Sequence, residues 1–96
     1  MRVSSPEFDI LLKQKPASEK GKLGVIVSKK TAALAVARNK IKRRVRVVVR
    51  MAAPDLQKLG HVRIVVKPLG ARQKFSAMKS GLTVLLRVIQ KRTGIL

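Results

Sequence analysis

The sequence predicts an α/β protein of the α+β type, a compact two-layer sandwich in which two helices cover one face of a small mixed sheet. A length of 96 residues favours a single domain over residues 1–96. A hydrophobic content of 46% is too high for a disordered chain. The apolar periodicity then gives the order strand, strand, helix, strand, helix, which packs as two layers.

The first two strands are predicted from alternating apolar residues. In residues 7–14 the alternating residues are Phe8, Ile10 and Leu12. Residues 15–21 have turn composition, and residues 22–28 form the second strand, with Val25 and Val27 on one face and Gly24 and Ile26 on the other. Because the link is short, we expect the two strands to pair as an antiparallel hairpin.

A long helix is predicted next, with Thr31 as its N-cap and a start between Thr31 and Ala33. It should end near Ala53, because Pro54 cannot continue it. One apolar stripe steps by three or four residues, and its members are Leu34, Ala37, Ile41, Val45, Val48 and Ala52. A row of cations runs beside it, namely Arg38, Lys42, Arg46 and Arg50. The helix should therefore bury one side and expose a cationic one.

The rest of the chain completes the sandwich. Residues 57–60 read as a turn, and the β-branched run in residues 61–67 predicts a third strand. Residues 68–72 leave the sheet, and a final helix spans residues 75–92. Its apolar stripe is Phe75, Met78, Leu82, Leu85 and Ile89, with Leu86 alongside.

The charge points to a polyanionic partner. The chain has 23 Lys and Arg against 4 Asp and Glu, a formal net charge of +19. Nucleic acid is the first candidate and an anionic membrane surface the second. With 2 Phe as the only aromatic residues, the chain has almost no platforms for base stacking.

Several other functions find no support in the sequence. The absence of cysteine excludes disulfides and thiolate zinc sites. His61 has no suitable partners for a triad, and Glu7, Asp9, Glu19 and Asp55 are too scattered for a two-metal nuclease centre. We therefore expect no catalytic and no metal-ligating residue in this chain. Without an apolar run of about 20 residues or a signal peptide, the expected location is the cytoplasm, with no membrane partner.

The most informative segment is residues 38–46, which packs six cations into nine residues and still keeps Ile41 and Val45 four apart. A helix through it would bury an apolar stripe and present cations to phosphates. The expected phosphate contacts are Arg38, Lys42, Arg43 and Arg46.

Neighbouring polar residues have two possible roles each. Asn39 could bond an RNA 2′-hydroxyl or base edge, or else a protein backbone group. Lys29 and Lys30, at the end of the second strand, either extend the anion site or are ordinary exposed lysines.

Two motifs together resemble the protein component of bacterial ribonuclease P. They are Gly24-Val-Ile-Val-Ser28-Lys29-Lys30 and, after a short spacer, the segment 38–46. At Lys40 the family usually has Arg, so the charge is kept and the bidentate geometry is lost. The resemblance implies a left-handed βαβ crossover and these RNA-binding residues: Lys29, Lys30, Arg38, Asn39, Lys40, Lys42, Arg43 and Arg46.

The resemblance also implies a function. The chain would be the protein subunit of a ribonucleoprotein endoribonuclease that binds the catalytic RNA and the 5′ leader of precursor tRNA. The RNA, holding Mg²⁺, would remove the leader. We predict no protein partner.

Two departures from the family concern the leader. The family has a helix before its first strand, and we expect this chain to lack it. Leu11 stands where the family often has Tyr, and Asp9 adds a negative charge to the same strand. The possible leader-facing residues of the sheet are Leu11 and Ile26.

Two other functions compete with this one. A ribosomal or other structural RNA-binding protein would fit the composition equally well. A standalone metal-dependent nuclease is disfavoured by the scattered acids.

Overall fold

The structure, a computed structural model, describes residues 1–94. Its strands are β1 (Arg2–Ser4), β2 (Phe8–Gln14), β3 (Leu23–Ile26) and β4 (Gly60–Val66). Its helices are α1 (Ala35–Ala52), α2 (Leu56–Leu59), α3 (Pro68–Ala71) and α4 (Phe75–Thr93). The predicted α+β class and the two long helices are confirmed.

The four strands form one mixed sheet in the order β1-β2-β4-β3. Strand β2 pairs antiparallel with both β1 and β4, whereas β3 runs parallel to β4. Because β3 and β4 are parallel neighbours joined through α1, they form a βαβ unit. The left hand of this crossover stays an expectation from the family resemblance.

The predicted hairpin between the first two predicted strands, which are β2 and β3 of the structure, is wrong. Strands β2 and β3 run in opposite directions, as expected, but β4 lies between them. The connecting residues 15–22 span that position, and the backbone N–H of Val62 donates to the carbonyl of Lys22 at 2.8 Å. The sheet thus brings residues 22–26 against a strand that begins only at residue 60.

Strand β1 was not predicted, because three residues are too few to show a period. A turn closed by hydrogen bonds joins it to β2: the N–H of Ser5 donates to the carbonyl of Phe8 at 2.8 Å, and the Phe8 N–H donates to Ser5 Oγ at 3.1 Å. Residues 1–7 therefore contain a strand and no helix.

Helix α1 begins later than predicted, and Thr31 is not its cap. The Thr31 N–H donates to Ser28 Oγ at 3.1 Å, so Thr31 belongs to a turn that precedes the helix. Leu34 occupies the N-cap position and is 72% exposed, which removes it from the predicted stripe. The buried residues of α1 are Ile41, Val45, Val48 and Val49. The helix ends at Ala52, just before Pro54, as predicted.

The core lies between one face of the sheet and the two long helices. From the sheet it takes Val3, Phe8, Ile10, Leu12, Val25, Val62, Ile64 and Val66, and from α4 it takes Met78, Leu82, Leu85, Leu86 and Ile89. The buried Gln90 side chain donates to the carbonyl of Ala52 at 3.3 Å and ties α4 to the end of α1. Helices on one face of the sheet are thus confirmed.

The opposite side of the sheet, here called the open face, carries the alternate residues of each strand. They are Arg2, Ser4, Asp9, Leu11, Lys13, Gly24, Ile26, His61, Arg63 and Val65, all of them exposed or half-buried. The short helices α2 and α3 replace the predicted turn at 57–60 and the predicted exit from the sheet at 68–72.

Candidate RNA-binding surface

Helix α1 presents its cations to solvent because its apolar side is fully used by the core. The cationic ridge is defined here as Arg38, Lys42, Arg43 and Arg46. Arg43 and Arg46 are exposed, whereas Arg38 and Lys42 are half-buried at the edge of the apolar side. Within residues 1–94, no carboxylate forms a salt bridge with any cation of α1. The ridge therefore keeps its charge for an external anion.

The two flanks of α1 differ. Arg44 lies on the flank that faces α4, where its guanidinium carbon is 6.0 Å from the centre of the Phe75 ring. Lys42 is two positions earlier, a rotation of about 200° around the helix, and so lies on the other flank. Among residues 1–94, Arg44 is the cation of α1 that lies against an aromatic ring. It is not part of the ridge.

Arg38 is partly engaged by the protein. Its Nη1 donates to the carbonyls of Ala32 and Ala33, at 2.9 and 2.7 Å. These bonds fix the segment before α1, and they leave the Nε and Nη2 donors of the fork for another acceptor. A phosphate contact by Arg38 stays a prediction.

Asn39 and Lys40 are exposed on α1. The Asn39 side chain makes no hydrogen bond to any residue in 1–94, so the alternative of a bond to the protein backbone finds no support there. Its amide and the Lys40 ammonium group face solvent beside the ridge. A contact of either residue with RNA stays a prediction.

Lys29 and Lys30 occupy the turn between β3 and α1. The Ser28 and Thr31 hydroxyls are 3.0 Å apart, and the N–H groups of Thr31 and Ala32 each donate to the Ser28 carbonyl at 3.0 Å. This bonding closes the turn from inside, and both lysines are exposed on it. Their charges therefore stand just before the first turn of α1, where the helix dipole also favours an anion.

The open face has an aliphatic floor with cations beside it. Leu11 lies directly opposite Arg63 of β4, and Ile26, which is 42% exposed, lies opposite Val65. Leu11 and Ile26 are thus on one surface, as predicted, but β4 separates them. No Phe, Tyr or Trp side chain lies among the residues of this face, so it is suited to contacts with a backbone more than to base stacking.

Asp9 is the acid of the open face, and β1 holds it. Arg2 Nε donates to Oδ1 at 2.9 Å, Arg2 Nη2 to Oδ2 at 2.6 Å, and Ser4 Oγ to Oδ1 at 2.6 Å. The hydrogen bonds from Arg2 and then Ser4 lower the pKa of Asp9 to about 2, against the opposing effect of burial. Sequence reasoning missed these partners because β1 itself was missed.

His61 has a structural position. Its Nδ1 accepts the backbone N–H of Lys22 at 3.1 Å, and its Nε2 is 3.6 Å from Glu19 Oε2. Among residues 1–94, no three His, Cys, Asp or Glu side chains gather into a group that could hold a metal ion. A search of the helices within those residues also finds none long and apolar enough to cross a membrane.

The sequence model of the family described as Ribonuclease P matches residues 1–90. The chain belongs to the ribonuclease P protein family. It is therefore the protein subunit of a ribonucleoprotein endoribonuclease, and family membership implies association with ribonuclease P RNA. This finding favours the role of a ribonuclease P protein subunit over that of a ribosomal or other structural RNA-binding protein. Comparison with curated proteins finds no significant match.

Solved ribonuclease P proteins share the fold. The Staphylococcus aureus RNase P protein is similar with a TM-score of 0.80 and 21% identity, over 94% of this chain and 81% of that one. The Thermotoga maritima RNase P protein gives 0.70 and 22%, over 91% and 82%. The same Thermotoga protein in complex with 1-(4-fluorophenyl)-2-thiourea gives 0.72 and 23%, over 91% and 84%.

Proposed function

We propose that the cationic ridge of α1 binds the catalytic RNA of ribonuclease P and that the open face binds the 5′ leader of precursor tRNA. The observation that supports the first part best is the lack of any internal salt bridge to the cations of α1 within residues 1–94. A cation without an internal partner gives its full charge to a bound phosphate. Residues four apart on a helix lie about 6 Å apart along its axis, so the ridge offers successive contacts to one RNA strand.

The turn at Lys29 and Lys30 extends this surface at the start of α1. Asn39, Lys40 and the ridge then continue it along the helix. Such contacts with phosphates hold an RNA in place without reading its sequence. We therefore expect the surface to recognise the shape and charge of a folded RNA.

The open face supports the second part of the proposal. Arg63 and Lys13 provide cations there, and Leu11 and Ile26 provide apolar surface for sugars and base edges. Because the face lacks Phe, Tyr and Trp, leader binding should depend little on the leader sequence.

Cleavage is assigned to the RNA. Residues 1–94 place no cluster of carboxylates or imidazoles that fits Mg²⁺, so we propose that the RNA holds Mg²⁺ and that this chain has no catalytic residue. The protein positions the substrate and screens the repulsion between two RNAs. We further propose that it works in the cytoplasm and needs no protein partner.

The test is cleavage of a precursor tRNA in Mg²⁺ by a bacterial ribonuclease P RNA, with and without the protein at low salt. We expect the RNA and protein together to cleave faster than the RNA alone, and a Lys42→Ala/Arg46→Ala variant to lose most of that gain. Cleavage by the protein alone would contradict the proposal. So would tight binding to ribosomal RNA with no effect on the catalytic RNA.

A further inference from the structure

Asp9 is the one acidic residue in the four strands, and it lies on the open face. In the sheet register it is opposite Ser4 on β1 and Val65 on β4. Leu11 is two residues further along β2, and Ile26 pairs with Val65 from the other side of β4. A strand of RNA that contacts both therefore also passes the Asp9 carboxylate. An unpaired carboxylate there would repel the phosphates that the nearby Arg63 attracts.

Protonation cannot remove this charge near neutral pH. Since the bonds from Arg2 and Ser4 favour the ionised form, Asp9 stays a carboxylate over the whole physiological range. Its charge can be compensated only by a cation placed against it. The side chain of Asp9 is 16% exposed, whereas that of Arg2 is 68% exposed, so the guanidinium covers the carboxylate on the solvent side.

The geometry of that cover is specific. Arg2 uses two donors on the two carboxylate oxygens, the bidentate arrangement that Lys cannot reproduce. Alternation along β1 places Arg2 and Ser4 on the open face, where both bond Asp9, while Val3 is buried in the core. Arg2 is mostly exposed and its interaction is screened by solvent, so we expect the pair to act on the electrostatic field of the open face as well as on stability.

We propose that β1 acts as a neutralising strand, in which Arg2 and Ser4 mask Asp9 so that the phosphate backbone of a single-stranded RNA can cross the open face. This inference rests on the proposed function, in particular on the leader lying on that face. It assigns to Arg2 a positioning role toward Asp9 rather than a direct contact with the RNA.

The test is a double-mutant cycle. The variants Arg2→Gln, Asp9→Asn and Arg2→Gln/Asp9→Asn are each combined with a bacterial ribonuclease P RNA, and the Kd for precursor tRNA with and without its 5′ leader is measured. We expect Arg2→Gln to weaken binding of the leader-carrying substrate about tenfold at ~0.1 M salt, the scale of one added charge near a phosphate. The double variant should bind within about twofold of the original chain, because the pair carries no net charge in either, Asp9→Asn should bind at least as tightly as the original chain, and leaderless tRNA should be unaffected throughout.

The chain offers a matched control in the pair formed by Lys58 and Asp55, whose Nζ and Oδ1 atoms are 2.9 Å apart. Lys58→Gln removes the same charge and leaves the Asp55 carboxylate without its salt bridge, but at the start of α2 instead of on the sheet. It should leave leader binding within about twofold of the original chain. Circular dichroism of each variant verifies that the fold is kept.

Three results would overturn the inference. One is an unchanged Kd for Arg2→Gln, and another is equal weakening by Lys58→Gln. The third is a double variant as weak as Arg2→Gln, because Arg2 would then contact the RNA itself. A parallel measurement with Lys42→Ala/Arg46→Ala separates the two levels: if that variant loses the catalytic RNA while Arg2→Gln changes nothing, the proposed function stands and the neutralising role is wrong.

Discussion

Replacing Arg46 with alanine should weaken RNA binding and leave the fold unchanged. Arg46 is exposed, has no salt bridge within residues 1–94, and lies on the flank of α1 away from α4. Alanine is at least as good a helix former as arginine, so the free energy of unfolding should stay within about 0.5 kcal/mol. The loss should therefore appear in affinity alone.

The size of that loss follows from counterion release. With about five phosphate contacts, the slope of log K against log salt is roughly −3.5 to −4.5, and each contact supplies about 0.7 to 0.9 of it. Arg46→Ala should reduce the slope by about that amount. At ~0.1 M salt, one charge-assisted contact of about 1–2 kcal/mol corresponds to about a 5- to 30-fold higher Kd.

The assay is a titration of a bacterial ribonuclease P RNA with the protein at several salt concentrations. Arg44→Ala is the matched control, because it is the same chemical change on the same helix but on the flank that contacts Phe75. It should cost about 0.5–1 kcal/mol of stability and have a smaller effect on the Kd. Equal effects of the two variants on the Kd, or a lower Tm for Arg46→Ala at unchanged affinity, would refute the flank assignment.

Three further outcomes are expected. Val45 is completely buried, so Val45→Ala should lower the free energy of unfolding by about 1–3 kcal/mol in urea denaturation, and a loss near zero would show that α1 is not docked as described. The pKa of Asp9 is lowered to about 2 from an ordinary value of about 3.9, so the ionised carboxylate stabilises the fold fully above about pH 4, and this stabilisation is lost as the pH falls toward 2. Acid melts of Asp9→Asn should lack this loss of stability, and identical acid melts of the variant and the original chain would contradict the prediction. Because the net charge is +19, sulfate should raise the Tm by binding the folded state, and a Tm independent of sulfate would oppose this.

The helices could be predicted from sequence because their signal is local. Ile41, Val45 and Val48 repeat at helical spacing and are buried in the structure. The strand order could not be predicted, because the position of β4 between β2 and β3 depends on pairing between residues about 40 to 60 apart. Strand β1 is too short for any periodicity, and its role becomes visible only when it pairs with β2.

The candidate site divides in the same way. The composition of residues 38–46 identifies the cations of the ridge, and helical geometry gives their approximate directions. Sequence alone does not show that Arg38 bonds two backbone carbonyls or that Arg44 contacts a ring 31 positions later. The pairing of the Asp9 carboxylate with Arg2 and Ser4 could not be predicted either, since both partners are on a strand that was not predicted.

The central place of β4 has a consequence for synthesis on the ribosome. Residues 1–52 contain three strands and the whole of α1, yet the middle of the sheet is supplied by residues 60–66. A nascent chain that has just exposed α1 therefore carries an intensely basic helix with no completed scaffold beneath it. Such an intermediate can bind other RNAs near the exit tunnel, and this period lasts until residues 53–66 complete the sheet and α4 completes the core.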